Sequence, residues 1–257
     1  MSAGYKLRKI YRVGYCIGRG AIAQKNLSWA KVRFYARAFL IEHPQNGLIL
    51  IDTGYGRAFV EETKRGLGRI YPMLLKVVYD QKDSLQYQLE QDGITQNDLS
   101  YLILTHFHPD HIGGLTDFID VPWIYRGKVL EKQLQQSVWK KLKSGFFQGL
   151  IPPVAENSLV LREEEFSSTW EGFLSCDVFG DGSLQLIDLP GHAFGQMGVL
   201  ANDTLFAADA IWSSSSPPNK IGLLAQENSK AYKKTYQKLQ TLSNSLNIIP
   251  THTIEPL

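Results

Sequence analysis

Apolar positions along the chain fall into two rhythms. Short apolar runs, many rich in β-branched or aromatic residues, occur at 34–42 (FYARAFLIE), 48–52 (LILID), 101–104 (YLIL), 184–189 (LQLIDL), 197–201, 204–208 (TLFAA) and 247–249. Their length and composition predict strands. The first two flank His43-Pro44-Gln45-Asn46-Gly47, and an Asn-Gly pair between apolar runs predicts a hairpin. Residues 84–91 (SLQYQLEQ), 129–142 and 227–242 carry helical spacing instead. The first stops at Asp92-Gly93, and Lys140, Lys141 and Lys143 suit the C-terminal end of the second. Strands and helices mixed in this order predict an α/β layered fold. Residues 137–170 break the rhythm with Phe146-Phe147, Ile151-Pro152-Pro153 and Glu163-Glu164-Glu165, and are expected to form a lid-like insert.

Composition narrows the classes. With 44% hydrophobic and 20% charged residues in 257, the chain has ample material for a packed core and is neither disordered nor fibrous. Lys and Arg (27) nearly balance Asp and Glu (25), so the global basic field of a nucleic-acid binder is absent and no nucleic-acid partner is expected. Cys16 and Cys176 are too few for a disulfide framework and read as buried small hydrophobes. No apolar segment follows the charged start of the chain, and none reaches the length of a membrane span. A soluble, cytoplasmic protein without membrane contact is therefore expected, acting on a small molecule, with a homodimer left open.

The chain has only six histidines, yet three fall in Thr105-His106-Phe107-His108-Pro109-Asp110-His111, delivered by a buried run and followed by Gly113-Gly114. Residues two apart at a strand end project to the same side, so His106 and His108 can share a target. Asp110 and His111 begin the next turn. Imidazole suits borderline divalent metals and a carboxylate adds a hard, charged ligand. Chance assembly of H-x-H-x-D-H from this composition has odds on the order of 10⁻⁴. His192, Asp209 and His252 each follow a predicted strand, where loops gather on a rigid sheet. His43, in the hairpin, is assigned a structural or solvent role.

The motifs resemble those of the metallo-β-lactamase superfamily, in the same order across almost the whole chain. Asp52-Thr53-Gly54 is similar to its D-T-G strand end, His106-x-His108-x-Asp110-His111 to its signature, and Gly191-His192, Asp209 and His252 to its later motifs. The resemblance implies a four-layer αβ/βα sandwich. It implies that His106, His108 and His192 hold one metal, that Asp110, His111 and His252 hold a second, and that Asp209 bridges them. Asp52 would orient a ligand without touching metal. Asp110 and Asp209, the two carboxylates of the set, are the candidate catalytic residues.

Five histidines and two carboxylates without cysteine favour two Zn²⁺ ions, with Fe, Mn or Co compatible. Such a pair lowers the pKa of a shared water and polarises a carbonyl, which predicts metal-assisted hydrolysis. Within the superfamily the chain looks most like the N-acyl homoserine lactonases, enzymes of quorum quenching. It departs from them at three places. Trp212 stands where they carry a tyrosine three residues after the bridging aspartate, Ala193 replaces the threonine of G-H-T, and Thr253 follows the last histidine in place of aspartate. Candidate substrate contacts are Tyr55, Phe107, Phe146, Phe147 and Trp212, which favour an apolar acyl or aromatic group. The expected reaction is opening of a lactone or cleavage of a carboxylic ester. The alternatives are a thioester hydrolase similar to glyoxalase II and a mononuclear iron persulfide oxygenase. Because the proposed ligands run from 106 to 252, residues 1–257 are expected to form one metallo-hydrolase domain.

Overall fold

The computed structural model describes residues 4–212 and 216–257; residues 1–3, where the charged N-terminal stretch begins, lie outside them. The chain forms two compact units, interleaved in sequence. One consists of Lys6–Ile17 and Tyr35–Leu161. The other consists of residues 4–5, Gly18–Phe34 and Arg162–Leu257.

The first unit is built on a mixed sheet in the order Lys76–Val78, Lys6–Arg19, Lys31–His43, Gly47–Ile51, Leu99–Ile103, Trp123–Arg126, Leu159–Leu161. The predicted hairpin is present: Lys31–His43 and Gly47–Ile51 pair antiparallel, with Phe39 opposite Ile51 and His43 opposite Gly47. Gly47 takes the positive φ (70°) that the turn demands. His43 closes that turn, its Nδ1 accepting from the backbone N–H groups of Gln45 (3.1 Å) and Asn46 (2.8 Å). From Gly47–Ile51 onward the strands pair parallel. Parallel strands are joined by crossovers that cover their faces, which explains their near-continuous apolar runs. Leu40, Leu50, Leu102, Phe118 and Trp123 lie in this core.

The second unit carries a mixed sheet in the order Asn247–Ile249, Thr204–Phe206, Met197–Ala201, Leu184–Asp188, Phe173–Asp177, Ser168–Trp170. Its one parallel pair joins Thr204–Phe206 to Asn247–Ile249. The helix Ser229–Leu242, capped by the Asn228 side chain on the Ala231 N–H, buries Tyr232, Tyr236 and Leu239 with Ile187, Leu189 and Leu205. Both units are thus α/β layers on mixed sheets, the layered class that the sequence predicts.

Some elements differ from the sequence reading. The helix expected over 129–142 is two helices, Gly127–Gln135 and Val138–Lys143, because Gln136 and Ser137 adopt extended backbone and the apolar stripe lapses there. Residues 137–170 supply an edge strand to each sheet and bury Phe146, Phe147 and Leu150. Lys6–Arg19 is a 14-residue strand that periodicity did not reveal, since charges alternate irregularly with Tyr11, Val13 and Cys16. Thr253–Pro256 forms a strand beyond the one expected to be last. Cys16 and Cys176 are buried, and no helix among the described residues is long and apolar enough to cross a membrane.

Candidate metal centre

In the first unit, two parallel strands set the site. Ile51 pairs with Ile103, so the residues that follow them leave the sheet side by side at the carboxyl edge. Asp52 N–H donates to the Ile103 carbonyl (2.9 Å), and Thr105 N–H donates back to Asp52 Oδ1 (2.9 Å). The Thr105 hydroxyl donates to Asp52 Oδ2 (2.8 Å), and so does His111 Nδ1–H (2.6 Å). Asp52 and His111 are wholly buried. Thr53 binds the backbone of the same histidine, its N–H and Oγ1–H both donating to the His111 carbonyl (2.7 and 2.9 Å). Gly54 follows at φ 67°, and a Cβ there would lie 2.3 Å from Val13 Cβ. The D-T-G stretch is therefore a clamp on His111, and its glycine is fixed by close packing.

His106, His108 and His111 form one cluster: the His106 ring lies 4.5 Å from that of His108 and 3.9 Å from that of His111, centroid to centroid. His106 and His111 are buried, while His108 and Asp110 are half-buried. With Nδ1 of His111 spent on Asp52, its Nε2 keeps the lone pair that a metal needs. Thr105 Oγ1 also lies 3.2 Å from His106 Nδ1, so the same hydroxyl steadies a second ring. Thr105 was not singled out from the sequence, although it adjoins the histidine motif.

In the second unit the logic repeats. Phe206 pairs parallel with Ile249, and the ladder continues past both: Ala207 N–H donates to the Ile249 carbonyl (2.8 Å) and Thr251 N–H to the Ala208 carbonyl (3.1 Å). Asp209 and His252 emerge together, His252 Nε2 lying 3.2 Å from Asp209 Oδ2. His192 Nε2 approaches the same oxygen at 3.4 Å. Its loop is held at Gly191, whose φ is 136° and where a Cβ would lie 2.3 Å from Tyr232 Cα and N. Gln226 Nε2–H donates to the Gly222 carbonyl (2.8 Å), so its Oε1 is the acceptor facing His192 Nδ1 (2.8 Å). His192 therefore carries its lone pair on Nε2, as His111 does. Nothing in the sequence pointed to Gln226, 34 residues away.

The donor set fits divalent metal. It is all imidazole and carboxylate, and in each unit a neighbouring acceptor fixes the tautomer that a ligand requires. Of the candidate substrate contacts, Tyr55, Phe107, Phe146 and Phe147 are buried in the core of the first unit, and Trp212 is half-buried in the second. Tyr55, Phe59, Tyr71 and Phe147 pack as one aromatic cluster with centroids 5.3–5.7 Å apart. Burial, followed by the negative charge of Asp110, holds the Tyr55 and Tyr71 hydroxyls well above the ordinary phenol range, so both stay protonated. Burial and then Asp209 do the same to Tyr232.

Comparison with known proteins agrees with the geometry. A "probable metallo-hydrolase" of Mycobacterium tuberculosis is 24% identical over 226 residues, covering 83% of this chain and 69% of that protein. A "gamma-lactamase" of Fusarium pseudograminearum is 27% identical over 188 residues, covering 65% of this chain and 41% of that protein. Among solved structures, an N-acyl homoserine lactone hydrolase with N-hexanoyl-L-homoserine at its catalytic metal centre superimposes with a TM-score of 0.71 at 19% identity, over 96% of this chain and 94% of that one. Residues 33–252 match the family described as the metallo-beta-lactamase superfamily. With that match spanning most of its length, the chain belongs to the metallo-beta-lactamase superfamily of metal-dependent hydrolases.

Proposed function

We propose that the chain hydrolyses a lactone or a carboxylic ester carrying an apolar acyl or aromatic part, in the cytoplasm, with two Zn²⁺ ions. His106, His108 and His192 would hold one ion and Asp110, His111 and His252 the other, with Asp209 shared. The reading keeps the 257 residues as one catalytic domain, because the proposed ligands run from 106 to 252. The observation that carries it is the paired tautomer control: Asp52 on His111 and Gln226 on His192. Buried histidines with purely structural roles do not need one nitrogen kept for a ligand in two separate places.

Two such ions supply water of near-neutral pKa and a Lewis acid for the acyl oxygen. The chain's own residues do the remainder. Asp52 and Thr105 hold His111, and through Thr105 they steady His106. Gln226 holds His192. Asp110 is half-buried where Asp52 and Asp209 are buried, and this greater access to solvent supports it as the group that would pass a proton to a leaving alkoxide. The likeness to a homoserine lactone hydrolase and to a gamma-lactamase supports a small cyclic acyl compound as substrate, and quorum quenching as its setting. The imidazole-rich ligand set supports zinc, with iron, manganese or cobalt compatible.

The test is elemental analysis of the purified chain with a panel of acyl homoserine lactones, aryl esters, acyl thioesters, γ-lactams and a persulfide. The expected result is close to two zinc ions per chain, turnover of lactones or esters, and loss of both in His108→Ala. Absence of bound metal with chelator-insensitive activity overturns the mechanism. One iron per chain with oxygen-dependent persulfide turnover replaces hydrolysis by oxygenation, and turnover confined to thioesters moves the substrate to that class.

A further inference from the structure

We infer that Trp212 is a positioning residue for Asp209, acting through its indole N–H. This rests on the metallo-hydrolase reading above. Three nitrogens gather at Asp209 Oδ2: His252 Nε2 at 3.2 Å, His192 Nε2 at 3.4 Å and Trp212 Nε1 at 3.0 Å. Two of them belong to imidazoles and can turn a lone pair towards a metal. The third cannot. The indole nitrogen donates a proton and has no lone pair to offer, so its role at this carboxylate is that of a fixed hydrogen-bond donor.

The ring is held for that purpose. It stands edge-on to His192, centroids 5.8 Å apart at 70°, and lies against Tyr232 at 6.4 Å. Tyr232 is wholly buried and stacks on Tyr236 at 6.4 Å, both from the helix Ser229–Leu242. The indole thus ties one carboxylate oxygen of Asp209 while its edge braces a histidine of the same set. Trp has a single N–H, and spending it on Asp209 leaves none for a substrate carbonyl. Position 212 therefore serves the metal ligands rather than the reacting acyl group. A partner of this kind that orients a metal-binding carboxylate is worth about 10–100-fold in metal affinity.

The experiment replaces Trp212 with phenylalanine and, separately, with 3-benzothienylalanine, which keeps the two-ring shape but has sulfur in place of N–H. Zinc content and dissociation constants are measured by competition with a chromogenic chelator, and metal-free melting temperatures report the fold. Both replacements are expected to weaken one of the two zinc ions about 10–100-fold, while the benzothienyl protein keeps the metal-free melting temperature of the parent. A benzothienyl protein that binds two ions with unchanged affinity overturns the inference, because shape alone then suffices. If the parent chain itself binds no zinc, the metallo-hydrolase reading fails instead, and the two failures are told apart by that measurement.

Discussion

Asp52→Asn isolates one oxygen-for-nitrogen exchange at the centre of the first unit. Asp52 accepts three hydrogen bonds: from Thr105 N–H on Oδ1, and from Thr105 Oγ1–H and His111 Nδ1–H on Oδ2. Asparagine matches its volume and tolerates its left-handed backbone, φ 58°. Only one amide orientation keeps the Thr105 N–H satisfied, with the new oxygen in the place of Oδ1. The amide –NH₂ then faces Thr105 Oγ1, which can rotate and accept, and His111 Nδ1, which must also accept. That forces the His111 proton onto Nε2, the nitrogen required as ligand. The lost charge-assisted bond is worth about 1.5–3 kcal/mol. At about 1.4 kcal/mol per tenfold, this agrees with the 10–100-fold loss in metal affinity expected of such a partner. The assay is zinc competition on the variant, with ¹⁵N-histidine NMR of the metal-free protein to read the tautomer of His111. A variant that binds both ions at parental affinity, with His111 still protonated at Nδ1, refutes the reasoning. Asp52→Ala is the poorer experiment: it strands three buried donors at about 1–3 kcal/mol each, a sum that approaches the whole stability of a domain.

Gly191→Ala places a Cβ 2.3 Å from the Tyr232 backbone at φ 136°. It is expected to cost about 1–3 kcal/mol of strain, and as much again by overpacking. A metal-free melting temperature equal to the parent's would show that the loop does not press on the helix. Asp117 is held above its ordinary carboxylate pKa by burial, with Arg57 pulling partly back. Its contribution to stability is thus fully present below the unfolded pKa, about 4, and is lost as pH rises through the folded value. Asp117→Asn is therefore expected to melt above the parent at neutral pH and level with it below about pH 4. A difference that does not vary with pH, measured on metal-free protein, contradicts this.

Legibility followed spacing along the chain. His106, His108, Asp110 and His111 were visible because four ligand-type residues lie within six positions, and Asp52 because a D-T-G turn has its own composition. The strands of 47–51 and 197–201 were visible because both are apolar runs bounded by turn signals. What escaped depends on contacts distant in sequence. Gln226 is an unremarkable glutamine until the Glu227 and Asn228 N–H groups bind the His192 and Gly191 carbonyls and bring it beside His192. Tyr55 and Phe147 adjoin motif residues or the 137–170 stretch and look like pocket walls, yet the packing of Phe59 and Tyr71 draws them into the core. Trp212 stands out in the sequence for the hydroxyl it lacks, whereas in the fold its indole N–H donates to Asp209.

Three of the proposed ligands, one in the first unit and two in the second, obey one geometric rule. His106 stands three residues past Ile103, Asp209 three past Phe206 and His252 three past Ile249, and each of those strands has a parallel neighbour. Parallel strands end at the same edge of a sheet, so positions at equal distance beyond a paired register emerge beside each other. Where the ladder persists for one or two more bonds, as between Ala207 and Ile249 or Leu104 and Ile124, the direction of the emerging side chain is fixed as well. The path between strand and proposed ligand is not always extended: Ala208 takes φ 47°, and Asp209 sits in the single turn Ala208–Ala210. The count of residues between strand and proposed ligand is the same in all three, although their composition is not: Leu104-Thr105 and Pro250-Thr251 share a threonine that Ala207-Ala208 lacks.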